Sequence, residues 1–390
     1  MRVAQIPLLM GPLVVGCRGG DATPGPTEDG SSAITDLSGE TLIAIPSERG
    51  FFLTDRNAGA IVQFKTNEPV AYGPRDVFLS RNGAFAGFTT ISPGRETMNP
   101  YTVRIPSEGA PPDAFPIDTE NHIPKGPIPN ATGDIWGWTV QGEPNDFLRF
   151  TSISGEPHPN DNTEVRSSHW PVGFLSDGRF VTIQGPAVGP LWAFDPESGE
   201  HSQISDVAFQ HPVAVSLHDT LVGAIPDGLA VYDHASGGTT QYALFPNSED
   251  ERCRDHENLK KEDRCFYEVL EPDWSPDGTK IVFTARLDED RVWVSQDEDD
   301  HDIFIFDLTS EQVTAITNDE IRDSSPRFAA DGTTLFWVQW FVDLPEGGEL
   351  WEYTEQFQLV RSRVDQPDDV TVLIEDIETA GDLAVAWPSL

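Results

Sequence analysis

An all-β ring of repeated four-stranded sheets, a β-propeller, is the fold this sequence predicts. Three observations carry that expectation: a complete four-strand unit at residues 272–317, an ungapped second copy of its first half, and turn residues punctuating the whole chain. In the unit, a first strand ends at Trp274 and runs into WSPDGT, where Asp277 and Gly278 tolerate the positive φ of a tight hairpin turn. A second strand, KIVFTA at 280–285, is rich in β-branched and aromatic residues. An acidic loop at 288–301 separates it from a third strand, DIFIFD at 302–307, and a fourth is expected at 312–317.

A shift of 54 positions (Pro272 to Pro326) superposes Pro272, Trp274, Asp277, Gly278, Thr279 and Ile281 on Pro326, Phe328, Asp331, Gly332, Thr333 and Leu335. Weaker copies lie upstream at Pro171, Phe174, Asp177 and Gly178, at Pro74, Phe78, Asn82 and Gly83, and at Pro212, His218 and Asp219. Third strands are expected at LWAFD (191–195), LAVYD (229–233) and AIVQF (60–64). Counting turns near Asn82, Asp134, Asp177, Asp219, Asp277 and Asp331, plus one composite blade, gives seven blades. The count is six if 128–153, where Gly133 and Asp134 stand in reversed order, is an insertion. The composite blade follows from the chain ends. SGETLIAI at 38–45 has the form of a turn and second strand without an innermost one, and DLAVAWPSL at 382–390 supplies the missing strand and closes the ring.

At 390 residues the chain is long for one sandwich, yet a radial array grows by adding neighbours. Gly 33 and Pro 32 interrupt it too often for long helices, and 38% hydrophobic residues suffice to bury sheet faces. The formal charge of −40 argues against nucleic-acid partners, which demand a cationic surface. It implies a strongly hydrated exterior.

Residues 1–16 combine Arg2 with an apolar run too short for a permanent membrane span and are expected to be a signal peptide. Its end, LVVGC at 13–17, resembles the lipobox of bacterial lipoproteins. That resemblance implies acylation of Cys17 and a lipid anchor in the cell envelope, at the outer membrane given Arg18; an ordinary secretory signal with a chance cysteine is the alternative. Residues 17–37 are then a polar tether and 38–390 the propeller. Cys253 and Cys265 suggest a disulfide in an oxidising compartment, with zinc held also by His256 and Asp255 as the rival.

PDWSPDGTKIVFTA at 272–285, followed by DIFIFDL at 302–308, resembles the TolB-type propeller repeat. The resemblance implies a propeller, while the family spans envelope scaffolds, peptidase propellers and lyases, so it leaves the activity open. The separate N-terminal domain of TolB has no counterpart in the sequence, which argues against a Tol-system role.

Motifs for catalysis are sparse. GxSxG, HExxH and P-loop patterns are absent. No cofactor is expected except calcium at Asp297 and Asp299 in QDEDDHD, against which stands an ordinary solvated acidic loop. Connections between blades bring Arg75, Asp76, His169, Trp170, His211, Asp273, Asp323 and Arg327 toward the channel mouth, a mixed set suited to a polar ligand or peptide. The expected function is a monomeric, lipid-anchored envelope module that binds a protein or glycan without catalysis. The alternative is a channel-mouth enzyme such as a metal-dependent polysaccharide lyase.

Overall fold

In a computed structural model of the chain, residues 41–386 are described apart from 48–49, 58–60, 66–76, 81–82, 92–97, 106–114, 117–122, 142–144, 153–156, 162, 166–167, 186–187, 227, 245–265, 288–300, 320, 344–353 and 378–382. Cys17, Cys253 and Cys265 lie outside the described residues, as do Arg75, Asp76, Asp297 and Asp299. Among the described residues all regular structure is β-strand, in seven sheets whose strands pair antiparallel.

Each sheet is one blade, with its strands ordered from the innermost outward. Blade 1 is Ala384–Ala386, Leu42–Ser47, Gly50–Asp55 and Ile61–Lys65. Blade 2 is Val77–Leu79, Phe85–Ile91, Met98–Arg104 and Phe115–Pro116, and blade 3 is Ile123–Pro129, Ile135–Gln141, Asp146–Ser152 and Thr163–Val165. Blade 4 is His169–Phe174, Phe180–Gln184, Leu191–Phe194 and His201–Gln203. Blade 5 is Phe209–Val215, Thr220–Ile225, Gly228–Asp233 and Gly238–Ala243, with Val188–Gly189 from blade 4 added beside Phe209–Val215. Blade 6 is Phe266–Trp274, Lys280–Leu287, Asp302–Asp307 and Gln312–Ala315, and blade 7 is Arg322–Phe328, Thr334–Asp343, Thr354–Arg363 and Gln366–Ile377.

The innermost strands touch their neighbours in chain order all the way round, and Ala384–Ala386 contacts both Arg322–Phe328 and Val77–Leu79. The ring is therefore closed by the C-terminal strand, which pairs Leu42 with Ala386, Ile43 with Val385 and Ala44 with Ala384. Closure covers the edge of Leu42–Ser47 that would otherwise be left unpaired. Ile123–Pro129, Ile135–Gln141 and Asp146–Ser152 belong to a blade of their own rather than to an insertion, so the described residues form seven sheets.

Sheets stack face to face, so a strand in mid-blade is covered on both sides. That is why IFIF at 303–306 reads as a continuous apolar run, Ile303 to Phe306 all being buried. Separate apolar clusters fill the gaps between blades: Val222, Trp274, Phe283 and Phe306 between blades 5 and 6, and Val282, Phe328, Leu335 and Trp337 between 6 and 7. Trp274 also donates its indole N–H to the carbonyl of Ala214 across the blade boundary at 3.2 Å. Gly87 marks a close approach of blades 2 and 3, since a Cβ there would stand 2.3 Å from the Pro127 carbonyl oxygen.

The hairpin turns behave as their sequences dictate. Asp277 Oδ1 accepts from the Thr279 amide at 3.0 Å and Asp331 Oδ1 from the Thr333 amide at 2.8 Å, while Gly278 and Gly332 take φ of 69° and 64°. Blade 5 lacks the glycine, and Asp219 itself adopts φ 58°. In blade 3 the reversed Gly133-Asp134 order reflects a different cap. Asn130 Oδ1 accepts from the amides of Gly133 at 2.7 Å and Asp134 at 3.1 Å, and Gly133 takes the positive φ of 77°.

One strand expectation is corrected. Ile61–Lys65, expected as a third strand, is the fourth strand of blade 1; the third is Gly50–Asp55, because only two residues separate it from Leu42–Ser47 and the blade advances one strand sooner.

Candidate binding channel

Five of the innermost strands carry a register shift near their middle: at Lys125/Ile128, Pro171/Gly173, Gln210/Val213, Leu270/Asp273 and Ser324/Arg327. A bulge adds a residue and re-aims the side chains beyond it. In blades 6 and 7 the bulge residues Glu271 and Ser325 hold φ of 52° and 51°. Positive φ at such residues costs about 1–3 kcal/mol each and persists only where surroundings enforce it. Glu271 Oε2 accepts from the Ser325 amide at 2.5 Å, locking one bulge to the next.

The strands surround a central channel enclosing about 270 Å³. Much of its wall is apolar, from Val77, Leu79, Ile128, Val213, Val215 and Val385. Polar chemistry is concentrated in two pairs. Trp170 of blade 4 packs on His211 of blade 5, ring centroids 5.2 Å apart with planes tilted 49°. Asp273 of blade 6 faces Arg327 of blade 7, Oδ2 to Nε 3.9 Å. Arg327 is further held by donating Nε–H to the Leu383 carbonyl at 3.0 Å and Nη1–H to the Pro326 carbonyl at 2.9 Å. Burial raises the Asp273 carboxyl above its ordinary range, with the Arg327 charge and the Trp274 amide pulling it back.

Of the eight residues expected at the channel mouth, Trp170, His211, Asp273 and Arg327 line the channel. Arg75 and Asp76 lie outside the described residues. His169 and Asp323 sit behind the channel wall, for a reason that strand geometry supplies. His169 precedes Trp170 and so points to the opposite face. There it is 2% exposed, its Nδ1 hydrogen-bonded with the Thr182 hydroxyl at 2.8 Å and its ring edge-on to Phe194 at 5.7 Å. Asp323 is four residues before Arg327, which regular alternation would place on the same face. The bulge between Ser324 and Arg327 reverses that parity, and Asp323 turns inward between blades 6 and 7.

Asp323 accepts at Oδ1 from the indole N–H of Trp337 at 2.9 Å and from Gln339 Nε2 at 3.2 Å. Burial pushes its carboxyl well above the usual range and the charges of Asp319 and Asp302 push it further. Thr317 and Gln339 pull the other way, and neither closes a hydrogen bond on Oδ2. Asp302, Asp319 and Asp323 form the one group of acidic side chains among the described residues placed to hold a metal ion. Sequence inspection misses this trio, because its members come from a strand, a connection and the next blade's innermost strand.

A seven-bladed propeller whose channel, among the described residues, is largely apolar and bears an aromatic pair and an ion pair is what fold and site together define. No family model matches the chain, and no curated protein matches it. Among solved structures, it is similar to a protein assigned as a 6-phosphogluconolactonase from Bacteroides fragilis, with 12% identity and a TM-score of 0.53, covering 90% of this chain and 98% of that one. Others are TolB from Acinetobacter baumannii, at 13% identity and TM-score 0.43 over 90% of this chain and 67% of that one, and a TolB-assigned protein from Agrobacterium tumefaciens, at 13% and 0.42 over 89% and 98%. At 12% identity the first likeness shows the propeller fold alone.

Proposed function

We propose that this chain is a binding module of the cell envelope, tethered through Cys17, that captures a protein segment or glycan at its central channel. The observation that carries the reading is the channel itself: bulged, strained strands of four successive blades present Trp170, His211, Asp273 and Arg327 in an otherwise largely apolar wall. Such a surface suits a ligand with an apolar or planar face and a polar end, for which the indole offers area and the ion pair orientation. The envelope location is supported by the LVVGC sequence alone. A metal-dependent lyase, the other reading, would draw on His211 and Asp273 in the channel.

The test is capture of partners from solubilised envelope, followed by binding measurements on peptide and glycan arrays. The triple substitution Trp170→Ala, His211→Ala, Arg327→Ala should abolish capture, whereas Thr279→Ala, Ser310→Ala, Thr333→Ala in the hairpin turns should leave it intact. The reverse outcome overturns the channel as the binding site. Unsaturated oligosaccharide products formed from a polyuronate would overturn the binding reading in favour of the lyase.

A further inference from the structure

We propose that Asp302, Asp319 and Asp323 form a binding site for a divalent cation of the calcium class, clamping blade 6 to blade 7. Asp302 opens the third strand of blade 6, Asp319 lies in the connection that follows its last strand, and Asp323 stands in the innermost strand of blade 7. One carboxylate oxygen from each lies within 4.8 Å of the others. Oxygens bound to one Ca²⁺ at about 2.3–2.6 Å are separated by at most about 5 Å, so a single ion can reach all three. Three hard carboxylate donors suit Ca²⁺, which accepts loose geometry and completes its shell with water.

The second observation concerns Asp323 by itself. It is 1% exposed, its Oδ1 is occupied by Trp337 and Gln339, and its Oδ2 has no hydrogen-bond partner. Nor does a Lys or Arg pair with it among the described residues. A buried carboxylate left in that state is costly, so the oxygen must receive either a proton or a cation. Two further acids beside it disfavour an empty anionic pocket and favour a bound cation.

The equivalent junction between blades 3 and 4 shows how the fold otherwise handles this position. There Asp146, which opens its blade's third strand, accepts from the backbone amide of His169 at 3.0 Å, and the blade 4 strand brings an imidazole where blade 7 brings a carboxylate. The blade 6–7 site is also held in place before any ion arrives. The Asp323 amide donates to the His301 carbonyl at 2.9 Å, and the Ile321 amide to Asp319 Oδ1 at 2.9 Å. Neither Asp302 nor Asp319 nor Asp323 lines the channel, so this site is separate from the one proposed for ligand capture.

Terbium, a luminescent substitute for Ca²⁺, tests the site directly, because the Trp337 indole nitrogen lies 2.9 Å from the Asp323 carboxylate and can sensitise an adjacent ion. Full-length protein stripped with chelator and titrated with Tb³⁺ under tryptophan excitation should give saturable emission at one ion per chain, displaced by Ca²⁺. Asp319→Asn and Asp323→Asn should each weaken Tb³⁺ binding by about tenfold or more, a scale reached even by groups that merely orient a ligand. Trp337→Phe should dim the emission at saturation, and Asp365→Asn, on an exposed turn, should change nothing. Because Asp319 is exposed, its substitution tests the site even if Asp323→Asn fails to fold. Unaltered Tb³⁺ affinity in Asp319→Asn, or emission that never saturates, would overturn the proposal and leave a proton on Asp323.

Discussion

Removing residues 383–390 should destabilise the whole ring, although those residues make up a small share of the chain. The truncation deletes the innermost strand of blade 1 and uncovers the edge of Leu42–Ser47. It also removes Leu383, 2% exposed and packed among Ile43, Ile45, Phe336, Val338 and Leu359 between blades 7 and 1, and it takes the Leu383 carbonyl from Arg327. Loss of a buried leucine costs about 2–5 kcal/mol with its cavity. The lost strand and Arg327 hydrogen bonds add roughly 0.5–1.5 kcal/mol each. A total above about 5 kcal/mol is comparable with the whole stability of many domains. Urea unfolding at constant m-value is the assay. Leu383→Ala should lower the midpoint by an amount equivalent to about 2–5 kcal/mol, and truncation should lower it more. Val370→Ala, at 41% exposure on the outer strand of blade 7, should stay within about 0.5 kcal/mol of the parent. An unchanged midpoint in the truncated protein would refute closure by the C-terminal strand as a source of stability.

Three further outcomes are expected. Cys17→Ser should move the protein from the membrane pellet to the soluble fraction, as judged by fractionation after a detergent-free salt wash. Breaking a Cys253–Cys265 bridge with reductant should lower stability by about 3 kcal/mol on the chain-entropy estimate, and mass spectrometry of the alkylated protein should reveal the pairing. Asp277 should contribute to acid sensitivity: burial pulls its carboxyl up, but hydrogen bonds from Ser275 and Thr279 outweigh that and hold it below the ordinary aspartate value. A folded value below the unfolded one means stability present above the ordinary carboxylate range and lost as pH falls through the lowered value, so Asp277→Asn should flatten that part of the acid unfolding curve.

Local chemistry makes the fold readable. Asp-Gly turns and β-branched strand runs act within a few residues, so blade 6 and the first half of blade 7 are evident in the sequence and blade 4 nearly so. Blade 3 is harder to read because Asn130, four residues from Asp134, does the capping that an Asp does elsewhere. Blade 1 misleads in a different way, since its second and third strands turn back without a Gly-rich loop. The channel is half legible. Positions beside the strand-opening prolines find Trp170, His211, Asp273 and Arg327, but a bulge changes which face a residue takes and no residue type announces it. That is why the sequence groups Asp323 with Arg327 although the two look in different directions. The acidic trio is invisible for a related reason, because it exists only once blade 7 packs on blade 6.

Site-specific photocrosslinking in the native envelope tests the central claim most directly. Benzoylphenylalanine would replace Trp170 in the channel in one variant and Thr279 in the exposed hairpin turn of blade 6 in another. Irradiation should yield a discrete adduct from position 170 and none from position 279, and an excess of the captured ligand should suppress it. Adducts from position 279 alone, or equal adducts from both, would contradict the assignment of recognition to the channel.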